Sequence, residues 1–439
     1  MIPGARIKAA IEILDTISSS NEPLDRLIIQ YFRKRRYAGS NDRRAINNLT
    51  YNIVRNIKKL DWWITRIDSK LLSTPRTQII SELTLEEKLS PNYIKSIFNG
   101  SMYCPLPLSE NEEYLAKELS GQSINHPDMN TSVIMEYPNW LDNHFKTLWP
   151  ERLKLEMSAL NQPAPVDVRV NTLKTNLEDV RLSLINETIS CKPTPMSPVG
   201  LRLTSKARLN NTKVFKKGWI EVQDEGSQLV ALLSDAKPGM KVVDLCAGAG
   251  GKTLALAATM NLDSNIDGQL IACDISSYRI DRLKPRIQRA GIKNINTHIL
   301  NSQYTDWIKT HTGTKDRVLV DVPCTSTGIW RRDPLSRWRL SIDNLKNNIC
   351  VQRNILRNAS KLVKRGGRLI YATCSLLKEE NEHQVSWFTE HHNDFCILPV
   401  EDVWGQVIGG KSPSASSLRL TPASNGTDGF FCAILEKFK

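Results

Sequence analysis

The chain reads as an α/β protein: a doubly wound, mostly parallel sheet in its second half, preceded by an all-helical region and a small mixed module. Three observations predict this. Lys241-Val242-Val243-Asp244-Leu245 is an apolar run that ends near an acid, breaks into Cys246-Ala247-Gly248-Ala249-Gly250-Gly251-Lys252-Thr253, and resumes as Leu254-Ala255-Leu256-Ala257-Ala258. That is a buried strand, a glycine turn and a helix N-terminus. Short apolar runs near 269–273, 295–300, 317–321 and 367–373 are separated by helical stretches, the alternation expected of βα units. The first 70 residues carry helical spacing instead, with Ile7, Ala10, Ile11 and Leu14 on one face and Ile46, Leu49, Ile53 and Ile57 close to another.

Taken in order, residues 1 to about 70 predict helices, and Pro91, Pro105, Pro107, Pro127 and Pro138 cut the following stretch into short pieces. The character changes near Asn161, where a proline-rich entry leads into the alternating run Val166-Asp167-Val168-Arg169-Val170-Asn171. Three regions are expected: 1–145 helical, 146–225 mixed α/β, and 226–439 doubly wound. In the last, the helix carrying Ile280, Leu283 and Ile287 contains Pro285. A long helix from Ser341 is expected to stop at Gly366-Gly367. Leu418–Leu420 and Phe430–Leu435 read as a closing hairpin.

At 439 residues, 40% apolar and 24% charged, the chain has the composition of an ordinary globular protein with a sizeable core. It has no run of 18 apolar residues, so no membrane span is expected, and its first residues lack the apolar core of a signal peptide. A cytosolic monomer is the expectation. Nine cysteines without a C-x-x-C pair argue for free thiols, against a disulfide framework or a zinc site. The net charge of +13 points towards a polyanion. In the first 70 residues Lys and Arg outnumber acids 14 to 7, densest at Arg33-Lys34-Arg35-Arg36 and Arg43-Arg44. This clustering favours RNA contact over a merely solvated face.

The glycine stretch admits two ligand classes. Cys246 to Thr253 is one residue away from the phosphate-binding pattern G-x-x-x-x-G-K-[ST], and Arg317–Asp321 resembles a strand that presents a magnesium-binding acid. Cys246, however, stands where that loop needs its first glycine. Leu270-Ile271-Ala272-Cys273-Asp274 is a second apolar run ending in an acid, suited to ribose hydroxyls. Asp244 to Gly250, read as D-x-x-x-G-x-G, suits S-adenosylmethionine, a nucleoside with no phosphates to cradle. The second class is favoured.

Two cysteines stand at the ends of two further strands, in Asp321-Val322-Pro323-Cys324-Thr325 and Thr373-Cys374-Ser375. In an open parallel sheet the ligand crevice lies beyond the carboxyl ends of the strands, so both thiols are expected to face it. A thiolate adding to carbon 6 of a pyrimidine breaks the aromaticity and makes carbon 5 nucleophilic towards a methylsulfonium. Asp321 is placed to stabilise the adduct at N3, and a second thiol could serve the elimination that follows.

These residues resemble the RNA cytosine-C5 methyltransferase family, and within it the bacterial RsmB (Sun/Fmu) group of 16S rRNA enzymes. The resemblance covers nearly the whole chain. It includes a basic N-terminus similar to the antitermination factor NusB, from Arg6-Ile7-Lys8-Ala9-Ala10 to Leu60-Asp61-Trp62-Trp63. It continues through Val168-Arg169-Val170-Asn171-Thr172-Leu173-Lys174 and Val222-Gln223-Asp224-Glu225-Gly226-Ser227. Asp321-Val322-Pro323-Cys324 with Thr327-Gly328, Thr373-Cys374-Ser375 with Glu380-Asn381, and Thr427-Asp428-Gly429-Phe430-Phe431 carry it most specifically.

The resemblance implies a Rossmann-like class I methyltransferase domain with a seven-stranded sheet whose last strand is antiparallel. It implies that Cys374 is the nucleophile and that Cys324 assists elimination. It also implies that Asp244, Cys246, Ala247, Gly248, Ala249, Gly250, Gly251, Lys252, Asp274, Arg279 and Asp321 line an S-adenosyl-L-methionine site. Two departures stand out: Asn301 where the family has an acid facing the cofactor, and Ala249 where proline is frequent. The first predicts altered cofactor binding, the second a looser turn. Arg169, Asn171, Arg331, Arg332, Arg35 and Arg36 are the expected RNA contacts, Arg331 and Arg332 because they follow Cys324 closely with Trp338 nearby. Competing readings are a tRNA substrate, a non-catalytic RNA-binding ribosome-assembly factor, and a P-loop NTPase.

Overall fold

The computed structural model describes residues 1–205, 207–262, 268–300 and 305–439. They form two compact units, Met1–Gln162 with Trp330–Leu340, and Pro163–Ile329 with Ser341–Lys439.

The first unit is helical. Its longer helices are Pro3–Ser18, Leu24–Arg33, Ser40–Ile67, Pro75–Leu85 and Glu110–Leu119, and shorter ones lie at Pro91–Ile97, Thr131–Ile134, Asp142–Leu148 and Leu153–Leu160. Pro91 sets a boundary as expected by opening a helix, where a missing N–H costs nothing, and Pro75, outside the expected set, does the same. Ser109 and Glu112 form a reciprocal capping box at Glu110–Leu119. Ile7, Ala10, Leu14, Ile46 and Ile53 share one buried core, with Leu49 and Ile11 at its edge.

The segment Trp330–Leu340, far away in sequence, belongs to this core. Trp330 is fully buried and Leu335 joins the apolar cluster. In an α-helix the carbonyls of Val54 and Arg55 serve the N–H groups of Lys58 and Lys59. Here those two N–H groups also donate to the Glu136 carboxylate at 3.1 and 3.0 Å. The Val54 carbonyl accepts from Trp338 Nε1 at 3.0 Å, and the Arg55 carbonyl accepts from Asn161 Nδ2 at 3.3 Å. Arg337, also buried, donates Nη1 to the Glu136 carbonyl at 2.8 Å and to Asn161 Oδ1 at 3.0 Å. Arg339 ties down the carbonyls of Glu22 and Ser20. The helix Ser40–Ile67 is continuous through this turn, whose backbone groups bond in addition to Glu136, to Asn161 and, from the returning segment, to Trp338. Asn161 takes part, so the helical unit runs past residue 145.

The second unit holds two sheets. Strands β1 (Asp167–Val170), β2 (Cys191–Pro193), β3 (Gly200–Leu203) and β4 (Ile220–Val222) form an antiparallel sheet in the order β2-β3-β1-β4. Strands β5 (Lys241–Asp244), β6 (Gln269–Asp274), β7 (Ile295–Ile299), β8 (Lys315–Asp321), β9 (Val363–Thr373), β10 (Phe395–Leu398), β11 (Leu418–Leu420) and β12 (Phe430–Lys437) form the other. Its order is β10-β12-β9-β8-β5-β6-β7. Pairs from β7 to β9 are parallel, and β12 runs antiparallel between β9 and β10. The outer edge of β12 is shared, β11 pairing with Phe430–Cys432 and β10 with Ile434–Lys437. This is the expected Rossmann-like arrangement with one extra short strand, and β11 and β12 form the closing hairpin around the short helix Pro422–Asn425.

Burial explains why these strands read as continuous apolar runs. Val242, Leu270, Ala272, Leu319, Ile370 and Ala372 pack in one core, while Val243, Ile271, Cys273, Val318, Val320, Leu369 and Tyr371 pack in another. Alternate residues feed opposite faces, and both faces are covered. The helix from Ile342 ends at Leu362, earlier than its glycines suggested. Gly366 and Gly367 lie inside β9, where pairing jumps from Lys315↔Val363 to Arg317↔Arg368. Gly366, at φ 71°, makes a bulge there instead of a helix stop. No helix among the described residues is long and apolar enough to cross a membrane.

Residues 1–162 produced alone should lack a cooperative thermal transition, because Trp330, Leu335 and Trp338 leave a hole in their core. Adding a peptide of residues 330–340 should restore it, read by circular dichroism. A cooperative transition of the bare fragment, unchanged by the peptide, would show that the segment is dispensable to the fold.

Candidate active site

The glycine loop joins β5 to the helix Gly251–Thr259. Gly250 caps that helix at φ 83°, and a Cβ there would lie 2.0 Å from Leu283 Cδ1, so close packing requires glycine. Ala247 N–H donates to the Cys273 carbonyl and Gly248 N–H to Asp274 Oδ2 at 2.9 Å, which ties the loop to the end of β6. Asp274 Oδ1 accepts the Ser276 N–H, and Arg279 Nη1, on an exposed side chain, is 3.7 Å from Oδ2. At Ala249 the carbonyl accepts from Arg286 Nη1, and Arg286 also pairs with Glu221. A side chain therefore pins the turn that lacks a proline. Asn301 lies outside the described residues.

Three carboxylates and one ammonium converge at the strand ends. Lys252 Nζ is 2.6 Å from Asp321 Oδ2. Burial works against the Lys252 charge, yet Asp321 outweighs it and holds the ammonium above its usual range. Asp244 accepts from Thr253 Oγ1 at 2.6 Å through Oδ2, while its buried Oδ1 has no hydrogen-bond partner among the described residues. Burial, with Asp321 and Asp274 adding to it, pushes Asp244 up to about 7. An acid-rich crevice with an unsatisfied carboxylate oxygen suits a cationic ligand and repels a triphosphate. Lys252, engaged with Asp321, is not free for phosphates. Above Gly248, at φ 56°, a Cβ would meet nothing within 4 Å, which leaves room over the loop. These residues fit S-adenosylmethionine, with its sulfonium, ammonium and ribose hydroxyls.

The two cysteine loops meet in the same crevice. Cys324 Sγ and Cys374 Sγ are 3.5 Å apart, and Ser326 Oγ lies 3.5 Å from Cys374 Sγ. The hydrogen bond between the two sulfurs brings the Cys374 thiol below its ordinary value against the effects of burial and of Asp321, and Ser326 and Lys252 add to the lowering. Cys324 moves the other way, raised by the same bond, by burial and by Glu380. Cys246 and Cys273 are also raised, chiefly by burial. Of these four thiols, Cys374 is the one poised to ionise.

The neighbouring motif residues hold this geometry. Glu380, buried, accepts the Thr325 N–H at 2.9 Å, the Thr325 hydroxyl, and Gln352 Nε2 at 3.0 Å. Asn381 accepts from Thr373 Oγ1 at 2.6 Å and donates to the Ser375 carbonyl at 2.9 Å. Gly328 N–H donates to the Cys374 carbonyl, and Gly429 N–H donates to the Gly328 carbonyl. A Cβ on Gly328 would lie 2.3 Å from the Gly429 carbonyl oxygen, so both must be glycine. Thr253, Arg286, Ser326 and the supporting role of Glu380 were not singled out from sequence. The glycine stretch ending at Thr253 and the motif around Glu380-Asn381 were the signals available for two of them.

Several expected RNA contacts are corrected. Arg169 is buried and donates Nε to Gln223 Oε1 at 2.7 Å, and burial brings it down to about 10. Asn171 is buried too, its amide serving the carbonyls of Gly218 and Ala290. Both brace the small sheet against its neighbours and have no free face. Arg331 is buried and Arg332 half-buried, and both belong to the helical unit. Arg35 pairs with Glu12 at 3.0 Å and lies over the Tyr31 ring, while Arg36 is exposed.

Residues 231–436 match the model of the 16S rRNA methyltransferase RsmB/F family, and residues 137–210 match its RsmF/B-like ferredoxin-like domain. A probable ribosomal RNA small subunit methyltransferase B from Synechocystis sp. is 30% identical over 415 residues, covering 90% of this chain and 91% of that protein. The crystal structure of PH0851 superposes with a TM-score of 0.79 at 27% identity, covering 100% of this chain and 99% of the other. A methyltransferase homolog protein from Pyrococcus horikoshii gives 0.59 at 28% identity, with coverage of 70% and 97%.

Because a hydrogen bond to the thiolate favours the charged form, Cys324→Ala should raise the pH at which Cys374 is half-alkylated by iodoacetamide. Peptide mass spectrometry across a pH series reads this directly. In the unsubstituted protein Cys374 should be labelled at lower pH than Cys324. The reverse order would reassign the nucleophile.

Proposed function

The chain belongs to the RsmB/F family of 16S rRNA methyltransferases, and from that premise we propose that it methylates carbon 5 of a cytidine in 16S rRNA through a covalent bond from Cys374. The observation that supports this best is the pair of unlike thiols 3.5 Å apart at neighbouring strand ends. S-adenosyl-L-methionine, held by the 246–252 loop, Asp244 and Asp274, supplies an electrophilic methyl group.

The residues then divide the work. Cys374, the thiol held low, adds to carbon 6 of the base and makes carbon 5 nucleophilic. As negative charge develops at N3, Asp321 passes a proton to it, supplied by the Lys252 ammonium whose Nζ is 2.6 Å from Asp321 Oδ2. Once carbon 5 is methylated, its proton must leave and the carbon–sulfur bond must break. Cys324 is the adjacent group able to assist that elimination. The exposed basic residues Arg33, Lys34, Arg36 and Arg44 of the helical unit are read as the surface that brings rRNA in.

Asp244 gives this reading a pH dependence. A carboxyl pushed up to about 7 is increasingly protonated below neutrality and then no longer attracts a cationic ligand. Cofactor affinity should therefore weaken as pH falls through about 7, and binding at pH 6.5 should release protons. Calorimetry in buffers of different ionisation enthalpy measures both, and pH-independent affinity in this range would exclude Asp244 as a partner of the cofactor.

The covalent step is tested with the two cysteines. Cys374→Ala should abolish methylation, read by bisulfite sequencing of 16S rRNA, with cofactor binding retained. Cys324→Ala should still form the bond and accumulate a protein–RNA complex that survives a denaturing gel. Trapping by Cys374→Ala alone would exchange the two roles, and methylation persisting in both variants would sink the covalent mechanism.

A further inference from the structure

In the helical unit a groove of about 590 Å³ is lined by Lys8, Glu12, Tyr31, Arg35, Tyr37 and Tyr103, among others. We propose that it binds unpaired bases of the RNA, stacked on Tyr37 and Tyr103. The proposal rests on the reading that the basic helices of this unit dock rRNA.

Three observations carry it. Tyr37 and Tyr103 are 70% and 63% exposed, so two aromatic faces stand in water at the rim of one groove. Tyr103 adopts φ 69°, a left-handed conformation that a bulky residue rarely tolerates and that glycine would relieve. Its turn is anchored, not frayed: Gly100 N–H donates to the Pro105 carbonyl, and Cys104 is buried so close to Gly4 that a Cβ there would lie 2.5 Å from its Sγ. The fold thus holds a strained tyrosine outward on a fixed loop.

The third observation is charge. Tyr37 directly follows Arg33-Lys34-Arg35-Arg36, of which Arg33, Lys34 and Arg36 are exposed, and Lys8 is exposed on the groove wall. Arg35 is used differently. Its charge is matched by Glu12, and its guanidinium lies 3.8 Å from the Tyr31 ring centroid, making a flat floor. Flat aromatic and guanidinium surfaces bordered by free cations match single-stranded nucleic acid, whose bases stack while its phosphates pair. A duplex hides its bases and offers the groove only phosphates.

The test uses the full chain and a fluorescein-labelled single-stranded RNA of about twelve nucleotides, with the same sequence in a duplex as control. Tyr37→Ala with Tyr103→Ala should weaken single-strand binding about tenfold or more, leave duplex binding within about twofold, and leave the salt slope unchanged. Tyr37→Phe with Tyr103→Phe should bind as the parent does. Both pairs sit on exposed side chains, and an unchanged circular dichroism melt verifies the fold. Unchanged single-strand affinity in the double-alanine variant, or equal losses on both probes, would overturn the groove. The docking reading is tested separately by Arg33→Glu, Lys34→Glu and Arg36→Glu together. If these reduce affinity and salt slope while the tyrosine variant does nothing, docking stands and the groove falls. If neither set matters, both fall.

Discussion

The active-site geometry depends on one buried carboxylate. Glu380 has no exposed surface, and burial raises its pKa, so its charge is tolerated only because donors surround it. Thr325 gives it an N–H and a hydroxyl, and Gln352 gives it an amide from the helix Ile342–Leu362. Thr325 is the residue after Cys324. Tyr371, in the strand that ends just before Cys374, donates its hydroxyl to the Glu380 carbonyl. The one acidic residue therefore holds the Cys324 loop through its side chain and the Cys374 strand through its backbone. Glycines 328 and 429 allow the backbones to close behind it.

That constraint makes two chemically identical thiols unequal. Cys324 faces the Glu380 charge, and Cys374 faces Lys252 and Ser326, which offset Asp321 in part. The hydrogen bond between the sulfurs amplifies the difference, because a donor lowers the pKa of its acceptor and raises its own. A similar economy governs the cofactor side. Lys252 neutralises Asp321, Asp274 spends itself on backbone N–H groups, and Asp244 is left with an oxygen unpaired. The crevice is short of positive charge until a cation enters.

Much of this was legible in the sequence, for a definite reason. A strand covered on both faces is apolar throughout, and its carboxyl end faces the crevice. Asp244, Asp274, Asp321, Cys324 and Cys374 could therefore be placed together from position alone. How the two thiols differ was not legible, because the difference arises from the bond between them and from Glu380, Ser326 and Lys252, each distant in sequence from the thiol it acts on. Arg169 and Asn171 misled because a basic or amide residue at a strand end reads as surface. Here each satisfies buried carbonyl or amide groups between elements that sequence cannot bring together. Gly366-Gly367 misled for a simpler reason: a glycine pair after a helix can stop the helix or bulge the next strand, and composition does not choose.

The segment after Cys324 shows the same limit at larger scale. Arg331, Arg332, Arg337 and Arg339 read as a basic loop, yet Arg337 is buried and Arg339 is committed to carbonyls. Arg337 bonds to the Glu136 carbonyl and to Asn161, beside the turn whose Lys58 and Lys59 N–H groups donate to the Glu136 carboxylate. Trp338 Nε1 finds its acceptor in the Val54 carbonyl, so the indole of the returning segment is satisfied by the long helix. Residues 322–329 follow directly on β8 and belong to the sheet unit. The loop bearing Cys324 is thus short and starts from a packed strand. Its own hydrogen bonds to Glu380 and Cys374 have only a few residues to order, so little conformational entropy opposes them.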